Sequence, residues 1–351
     1  MLMHLTIVML FIITATLSFF EERIQERDKI IILSAYVFFM IFLATTKDIE
    51  HTADALTYNT YFLRNDHFFF VLILEPTFIY LSRFVLALGG TVVAMFFIYA
   101  SISIPSKIWT LSRLTPYIFT ALLIYIPVYF ELHDMIQIRV AAAGGFLMLS
   151  LIPITQKRYL LASILILCGI SFHYSSGIYL PFLFIGNRKF NSIIRILLAI
   201  ILSLLIVVNL LKSDLLSLLP SSLMQGRVDF YKEATEKGNF GTEFSPFYMI
   251  YVWIKSILLY LILYYYDLIA EKNRYAPLLI SLFTASIFLV YSLSSLPVIS
   301  GRLSELYGII DGIVFTFLIY IIQPAYAAKA IIVAVGGYMI LYAMLFTEYF
   351  T

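Results

Sequence analysis

Long apolar stretches separated by short polar connections run through the chain from one end to the other. Many are close to 20 residues, the length that an α-helix needs to cross the hydrocarbon core of a bilayer. The pattern predicts an all-α, polytopic integral membrane protein with about 11–12 transmembrane helices. The predicted spans are 2–20, 30–46, 91–106, 116–130, 135–152, 159–172, 177–187, 192–211, 246–266, 277–297, 303–322 and 326–347.

Two segments depart from this pattern. The apolar pieces on either side of His173 are each short for a crossing, so residues 159–187 predict two short helices or one broken helix that lines a cavity. Residues 75–88 begin with Glu75 and Pro76, a favourable helix start, and Arg83 interrupts their apolar character. We expect an amphipathic helix that lies on the membrane surface there.

Composition supports the membrane assignment, since 62% of the residues are hydrophobic and 13% are charged. Soluble domains are about 45–50% apolar and about 25% charged. The net charge of +2 gives no reason to expect a nucleic-acid partner. Cys168 is the single cysteine, so no internal disulfide is expected. The first 20 residues lack a basic leader and a cleavage pattern, which predicts an uncleaved first span.

The distribution of basic residues predicts the orientation. With the loop 21–29 in the cytoplasm, the short loops on that side are basic, and the expected loop residues include Lys107, Arg113, Lys157 and Arg158. Residues 47–90 and 212–245 then form outer-face loops of a single transmembrane domain, 1–351, and the second of them is expected to form a lid or a substrate rim. The same outer side receives the helix ends that carry His133, Asp134, Arg139, His173 and Arg302.

Arg139 is the most informative of these residues. A guanidinium close to hydrocarbon costs several kcal/mol unless it faces a wet cavity or a counter-charge. Arg139, His173 and Arg302 all lie at helix ends on one predicted side, which favours an anion-binding site there. If these arginines have only a structural role, Arg139 would pair with Asp134 or extend its side chain to the membrane–water interface. Arg302 would then pair with Glu305 one helical turn away.

Five short motifs occur in an order that resembles a known family: Asp54–Tyr58, Glu75–Phe78, Gln137–Ala143, Phe172–Ser176 and Gly301–Tyr307. On these motifs the chain resembles the EpsG family of polysaccharide polymerases, a branch of the Wzy-type enzymes, over roughly residues 48–310. Thr77 stands where glycine is usual in the family, and Val140 stands where glutamine is common.

The resemblance implies a glycosyltransferase with a GT-C-like helical bundle in the bacterial inner membrane. Such proteins join oligosaccharide repeat units carried on undecaprenyl diphosphate at the outer, periplasmic face, and build O-antigen, capsule or exopolysaccharide. The lipid-linked glycan is both donor and acceptor, and a chain-length regulator protein is a possible partner. No cofactor is expected, because the sequence contains no metal motif and no glycine-rich phosphate loop.

The proposed chemistry assigns roles to particular residues. Arg139 and Arg302 are expected to hold the diphosphate, because a guanidinium fork matches phosphate oxygens. The base that activates the acceptor hydroxyl is His173, Asp54 or Glu75, and the two carboxylates alternatively bind sugar hydroxyls. Candidates for substrate binding are Tyr58, His133, Asp134, Gln137, Glu305 and Tyr307, with His133 and Gln137 expected on one face of a helix.

Two other functions remain open at this stage. An O-antigen ligase would use the same leaving group with a different acceptor. A lipid-glycan flippase or transporter would place its polar groups near mid-bilayer, often within inverted repeats. The one-sided polar groups and the absence of an evident repeat argue against a transporter. Lys255 and Asp311 lie in apolar stretches and are either functional or paired with each other.

Overall fold

The structure is a computed structural model that describes residues 2–52, 54–66, 74–211 and 244–346. All regular secondary structure in this part of the chain is helical, which confirms the predicted all-α class. The predicted lid, 212–245, lies outside the described residues except for its last two positions.

The described helices follow one another along the chain in this order: α1 (Leu2–Phe20), α2 (Glu26–Thr45), α3 (Ala55–Leu63), α4 (Pro76–Ala87), α5 (Val92–Leu114), α6 (Ile118–Ile124), a π-helix (Tyr125–Ile136), α7 (Ile138–Thr155), α8 (Tyr159–Phe172), a 3-10 helix (Tyr174–Tyr179), α9 (Phe182–Ile185), α10 (Ser192–Leu210), α11 (Pro246–Tyr264), α12 (Tyr266–Lys272), α13 (Ala276–Ser292), α14 (Pro297–Gly308), α15 (Asp311–Phe315), α16 (Leu318–Ile321) and α17 (Ala325–Phe346). They fall into two compact units. The first comprises Met1–Gly186 and Asp311–Thr351, and the second comprises Asn187–Ile310. The single transmembrane domain expected from the sequence stays a prediction.

Eight helical stretches of the described residues are long and apolar enough to cross a membrane, with α6 and the π-helix counted as one stretch, and a ninth span results if Pro297–Gly308 and Asp311–Ile321 are counted as one. This number is lower than the predicted 11–12 because several apolar stretches form shorter helices. The 14 residues of α8 rise only about 21 Å, against a hydrocarbon core of about 30 Å. The predicted span 277–297 likewise ends early, at Ser292.

A break at Gln137 separates two of the long helices. The chain forms a 12-residue π-helix up to Ile136, and α7 begins at Ile138. Gln137 has φ −90° and ψ 64°, which is not helical. The expectation that His133 and Gln137 share one helix face is therefore wrong, because the helix ends between them. Extended π-helical segments are rare and frequently mark functional sites, and this one places Arg139 in the first turn of α7.

The segment that begins at Glu75 forms a helix, as the sequence predicts. Pro76 occupies the first turn of α4, and Glu75 is the preceding residue in an extended conformation. One face of α4 is buried through Phe78, Ile79 and Val85. The surface location of this helix on a membrane stays a prediction.

Residues 159–187 form a broken helix. The α-helix α8 ends at Phe172, and His173 follows with the extended angles φ −157° and ψ 115°. A 3-10 helix and the short α9 continue the segment. Because His173 is no longer helical, its side chain does not follow the direction of the α8 side chains. It can therefore contact a residue of a neighbouring helix.

A cluster of buried aromatic rings joins the helices of this region. Successive ring centroids lie 6.0 Å apart for Tyr58 and Phe78, 6.2 Å for Phe78 and Tyr99, and 5.4 Å for Tyr99 and Phe172. The four rings come from α3, α4, α5 and α8. Aromatic pairs at these separations contribute beyond the area they bury, so the cluster forms a rigid support for the residues beside it.

Candidate active site

Three polar residues from separate elements meet in the first unit. One carboxylate oxygen of Glu75, Oε2, accepts a hydrogen bond from Nη1 of Arg139 in an ion pair. The other oxygen, Oε1, lies 3.0 Å from Nδ1 of His173. The side chain of Glu75 is 4% exposed, whereas those of Arg139 and His173 are 21% and 19% exposed. A buried carboxylate thus holds two cationic or titratable side chains that are both partly exposed at the protein surface.

The local backbone explains why these three side chains meet. Glu75 precedes the first turn of α4, Arg139 occupies the first turn of α7 after the break, and His173 follows the last residue of α8. Thr77 Oγ1 donates a 2.6 Å hydrogen bond to the carbonyl oxygen of Ser171, which ties the start of α4 to the end of α8. The site is therefore formed by three helix ends.

The charge state of Glu75 follows from its surroundings. Burial by itself raises the pKa of this carboxyl, but the hydrogen bond with His173 and the charge of Arg139 outweigh burial and lower the pKa below its ordinary value. Glu75 is therefore ionised at neutral pH. An ionised carboxylate only accepts hydrogen bonds, so Nδ1 of His173 must be the donor in their contact.

Arg139 keeps unused hydrogen-bonding capacity. Its guanidinium lies over the ring of Tyr58, 5.7 Å from the ring centroid. Its Nε is buried and makes no hydrogen bond with the residues that the structure describes. The buried Oε1 of Gln137 also makes none within this part of the chain. Unsatisfied buried polar atoms are costly, so both atoms are candidates for contact with a water molecule or a bound polar ligand.

A protein-family model described as the EpsG family matches residues 29–351, nearly the whole chain. The chain belongs to the EpsG family. This family consists of Wzy-like polysaccharide polymerases, so the resemblance stated from five motifs is confirmed. No curated protein and no solved structure gives a significant match.

Other predicted residues of this EpsG protein lie in the second unit. Arg302, Glu305 and Tyr307 all belong to α14. Arg302 is exposed, Glu305 is half-buried and Tyr307 is buried. The structure brings Arg139 and His173 together through Glu75, whereas the approach of Arg302 to these two residues stays a prediction.

Asp134 and His133 are buried in the first unit. Both carboxylate oxygens of Asp134 lie 2.9 Å from Nζ of Lys107, and Tyr125 Oη donates a 2.7 Å hydrogen bond to the same carboxylate. The side chains of Lys107 and Asp134 are both 0% exposed. His133 is 0% exposed, and its ring packs edge-on against Tyr129. Arg139 pairs with Glu75, so the alternative pairing of Arg139 with Asp134 is not the one observed.

Two lysines of this region make buried contacts that the sequence did not predict. Lys107 lies inside α5, so its assignment to a cytoplasmic loop is wrong. Lys47 Nζ donates to the carbonyl oxygen of Met135 and lies 4.1 Å above the centroid of the Phe96 ring. Burial lowers the pKa of Lys47 to about 7, while the charges of Asp134 and Asp54 raise it. The sequence signal for both lysines is a cation next to, or within, an apolar run, as for Arg139 and Lys255.

The remaining candidates have defined places. Asp54 begins α3 in the left-handed region, with φ 61°, and is exposed. Tyr58 is 5% exposed and packs on Phe78. Lys255 Nζ donates a 2.7 Å hydrogen bond to Ser286 Oγ, and Asp311 accepts a 2.8 Å hydrogen bond from Tyr129. Within the described ranges, no three His, Cys, Asp or Glu side chains are grouped so as to hold a metal ion.

Proposed function

We propose that this EpsG-family protein is a glycosyltransferase that polymerises undecaprenyl-diphosphate-linked oligosaccharide repeat units. The reaction takes place at the periplasmic face of the bacterial inner membrane, needs no metal ion, and builds an O-antigen or a capsule. Family membership supports polysaccharide polymerisation in general. The observation that carries the specific chemistry is the buried Glu75 carboxylate, which holds Arg139 and His173 side by side with both side chains partly exposed.

Arg139 binds the diphosphate of the donor. Negative charge develops on this leaving group as the sugar–phosphate bond breaks, and a fixed guanidinium at that place stabilises the transition state more than the ground state. Glu75 and Tyr58 hold the guanidinium in place, and Nε makes no hydrogen bond within the described residues. Arg302 is the second candidate for the diphosphate, on sequence grounds.

His173 acts as the general base. Since Nδ1 donates to Glu75, the neutral imidazole carries its lone pair on Nε2. The acceptor hydroxyl transfers its proton to Nε2 while its oxygen forms the new bond to the anomeric carbon. The bond from that carbon to the diphosphate oxygen breaks, and its electron pair leaves with the lipid diphosphate. A positioned base of this kind contributes roughly 10²–10⁴-fold to the rate.

Glu75 serves in this scheme as the residue that orients the other two. Both of its oxygens are engaged and its pKa is low, so it is a poor proton acceptor at neutral pH. Carboxylates that orient a histidine in this way fix its tautomer and stabilise the imidazolium. The exposed Asp54 remains the candidate carboxylate for sugar hydroxyls.

The helical hairpin of α7 and α8 supports the outward orientation of the site. Arg139 lies in the first turn of α7 and His173 follows the end of α8. Lys157 and Arg158 lie in the connection at the opposite ends of both helices. Short basic loops favour the cytoplasm, so this connection faces inwards and the site faces the periplasm.

The direct test compares Arg139→Ala with Arg83→Ala. The control residue Arg83 lies on α4, two turns after Glu75, and is exposed, and its Nη2 donates one 3.4 Å hydrogen bond to the carbonyl oxygen of Asn65. Purified variants would be assayed for elongation of synthetic lipid-linked repeat units, with the amounts of folded protein matched. We expect Arg139→Ala to lose long products by about 100-fold or more, and Arg83→Ala to retain them.

Full-length products from Arg139→Ala would contradict the assigned role. In the native host, loss of a polymerase leaves single repeat units on the lipid A core, whereas loss of a ligase leaves none. The same assay in the presence of a chelator tests metal independence, and elongation that stops on chelation and resumes with a divalent cation would refute it.

A further inference from the structure

A cleft in the second unit contains none of the residues discussed so far as candidates for catalysis or substrate binding. It lies between α10 and α11 and has a volume of about 640 Å³. This is within the range of roughly 300–1,000 Å³ that small-molecule sites occupy. Residues from the start of α10, such as Ser192 and Arg195, line it together with Leu263 and Tyr264 from the end of α11. The two helices are therefore antiparallel, and one end of the cleft lies near the α11–α12 junction.

Arg195 marks the polar end of this cleft. Its Nη1 lies 2.9 Å from Oδ2 of Asp267, its Nη2 lies 3.0 Å from Oγ of Ser192, and its guanidinium lies 5.3 Å from the centroid of the Tyr266 ring. Arginine has five N–H donors in a planar fork, and these contacts use two of them. The guanidinium is thus held in one orientation by its neighbours and retains donors for a further anion.

Positive charge surrounds this end. The side chain of Asn187 donates to the carbonyl oxygen of Arg274 at 2.8 Å and accepts from the backbone nitrogen of Leu278 at 3.0 Å. These bonds hold the chain before α10 against the turn before α13. Besides Arg195, the charged residues at this end are the exposed Arg188, Lys189, Lys272 and Arg274, set against the carboxylates of Asp267 and Glu271. The end of the cleft therefore carries an excess of cations.

The rest of the cleft is apolar. Its walls include Ile196 and Ala199 of α10 and Ile257 and Leu261 of α11. Only 11% of the span formed by α10 is buried inside the protein. At the far end Ser203 Oγ and Tyr260 Oη form a 2.7 Å hydrogen bond that joins the two helices. Ser203 follows Arg195 by eight residues, so the apolar part is about 12 Å long.

We infer that this cleft binds an anionic glycerophospholipid of the surrounding membrane. The phosphate lies at Arg195, and the upper part of an acyl chain lies along Ile196, Ala199, Ile257 and Leu261. A cationic head site above an apolar groove matches the two chemically distinct ends of such a lipid, and basic pockets between membrane helices are known to select anionic head groups. A zwitterionic lipid carries its own cation beside the phosphate, so the same rim attracts it less strongly. The inference does not depend on the proposed polymerase activity.

The test is native mass spectrometry of the purified full chain in detergent, titrated with phosphatidylglycerol or with phosphatidylcholine of identical acyl chains. We expect the wild-type protein to retain phosphatidylglycerol at about tenfold lower lipid concentration. Arg195→Gln removes this preference, and Ala199→Trp fills the groove and weakens the retention of both lipids. Arg158→Gln changes a basic residue of the first unit and leaves the preference intact.

Asp267→Asn keeps the test informative if Arg195→Gln does not fold. The Asp267 side chain is 80% exposed, so its replacement is well tolerated, and it frees Arg195 for the lipid phosphate. We expect tighter retention of phosphatidylglycerol in this variant. Equal retention of the two lipids by the wild-type protein would overturn the inference, as would equal losses in Arg195→Gln and Arg158→Gln. A homodimer that Ala199→Trp dissociates, with lipid retention unchanged, would instead identify the cleft as a contact between copies.

Discussion

Glu75 contacts both the charged guanidinium of Arg139 and the imidazole of His173, whose tautomer it determines. Its two oxygens separately contact Arg139 and His173, so one side chain sets the position of the guanidinium and the tautomer of the imidazole. The Arg139 contact is charge-assisted on both sides, which makes it stronger than a neutral hydrogen bond. A change at Glu75 is therefore expected to affect diphosphate binding and proton transfer together.

The low pKa of Glu75 predicts how the stability of the protein depends on pH. The pKa is lowered from its ordinary value of 4.5. The stabilisation is therefore fully present above the unfolded-state pKa and is lost as the pH falls through the lower folded-state pKa. We expect Glu75→Gln to unfold at a lower temperature than the wild-type protein at pH 7, and the difference to shrink below about pH 4. Thermal unfolding in detergent across this pH range measures it.

The natural control for this measurement is Glu26→Gln. Glu26 forms an exposed ion pair with Lys29, and its side chain is 82% exposed, so its replacement is expected to have little effect on stability at any pH. A difference between Glu75→Gln and the wild-type protein that stays constant from pH 7 to pH 3 would show that the effect does not come from the charge of Glu75.

At the residue scale, the sequence identified individual site residues more reliably than it predicted which residues form pairs. Arg139 and His173 were identified because polar groups beside apolar runs are expensive, and Glu75 because it precedes a proline at a helix start. The partner of Arg139 was not predictable in this way. Asp134 is five positions away in sequence and Glu75 is 64 positions away, but in the folded protein Asp134 is paired with Lys107 and Glu75 with Arg139.

The buried pair of Lys107 and Asp134 joins two elements of the first unit, α5 and the π-helix. Removing one member leaves a buried charge without its counter-ion, which costs about 3–5 kcal/mol. We expect Lys107→Met to lower the unfolding temperature strongly, and the double variant Lys107→Met/Asp134→Leu to recover most of the loss, since both charges are then absent. Thermal unfolding of the purified variants measures both effects.

Lys29→Met provides the matched control, because the partner of Lys29 at the start of α2 is the Glu26 carboxylate, which is 82% exposed and stays hydrated when the lysine is removed. Exposed pairs contribute about 0–1 kcal/mol, so this variant is expected to unfold close to the wild-type temperature. The interpretation of Lys107 and Asp134 fails if Lys29→Met and Lys107→Met behave alike, or if the double variant is less stable than Lys107→Met.

Two adjacent glycines of α17 allow a sharp test of helix packing. A Cβ atom added at Gly336 would overlap the carbonyl oxygen of Leu123 in α6, whereas one added at Gly337 meets no atom within 4 Å. We expect Gly336→Ala to destabilise the first unit by about 1–3 kcal/mol, the usual cost of overpacking. Gly337→Ala is expected to be neutral or slightly stabilising, because alanine favours the helix. Equal unfolding temperatures for the two variants would contradict the packing of α17 on α6.

At the element scale the sequence predicted the class and the approximate positions of the helices, since long apolar runs have few alternative structures. It predicted the break near His173 within residues 159–187, but not the break at Gln137. Gln137 is neither proline nor glycine, and the π-helix before it contains the buried Tyr125 and Asp134 side chains, which hydrogen-bond to each other. Fewer of the described helices reach the length of a full crossing than the apolar runs suggest, because hydropathy does not distinguish a 17-residue helix such as α13 from a full crossing.

At the scale of the whole molecule, the chain divides into two compact units, and the predicted site residues are distributed over both. Glu75, Arg139 and His173 belong to the first unit, and Arg302 to the second. The sequence placed all of them on one side of the membrane through the bias of the basic loops. The proposed function requires that the site residues of both units face the outer side of the membrane. This sidedness can be measured independently of activity.

Cysteine labelling tests this sidedness. In a Cys168→Ser background, single cysteines replace His51, which is exposed after α2, and Lys157 and Lys189, which are exposed in predicted cytoplasmic loops. We expect a membrane-impermeant maleimide to label His51→Cys in intact spheroplasts, and to label Lys157→Cys and Lys189→Cys only after permeabilisation, because short basic loops stay in the cytoplasm. Lys157 lies at the opposite end of α7 from Arg139. Labelling of Lys157→Cys from outside would therefore show that the candidate site faces the cytoplasm, which would contradict a polymerase that acts at the periplasmic face.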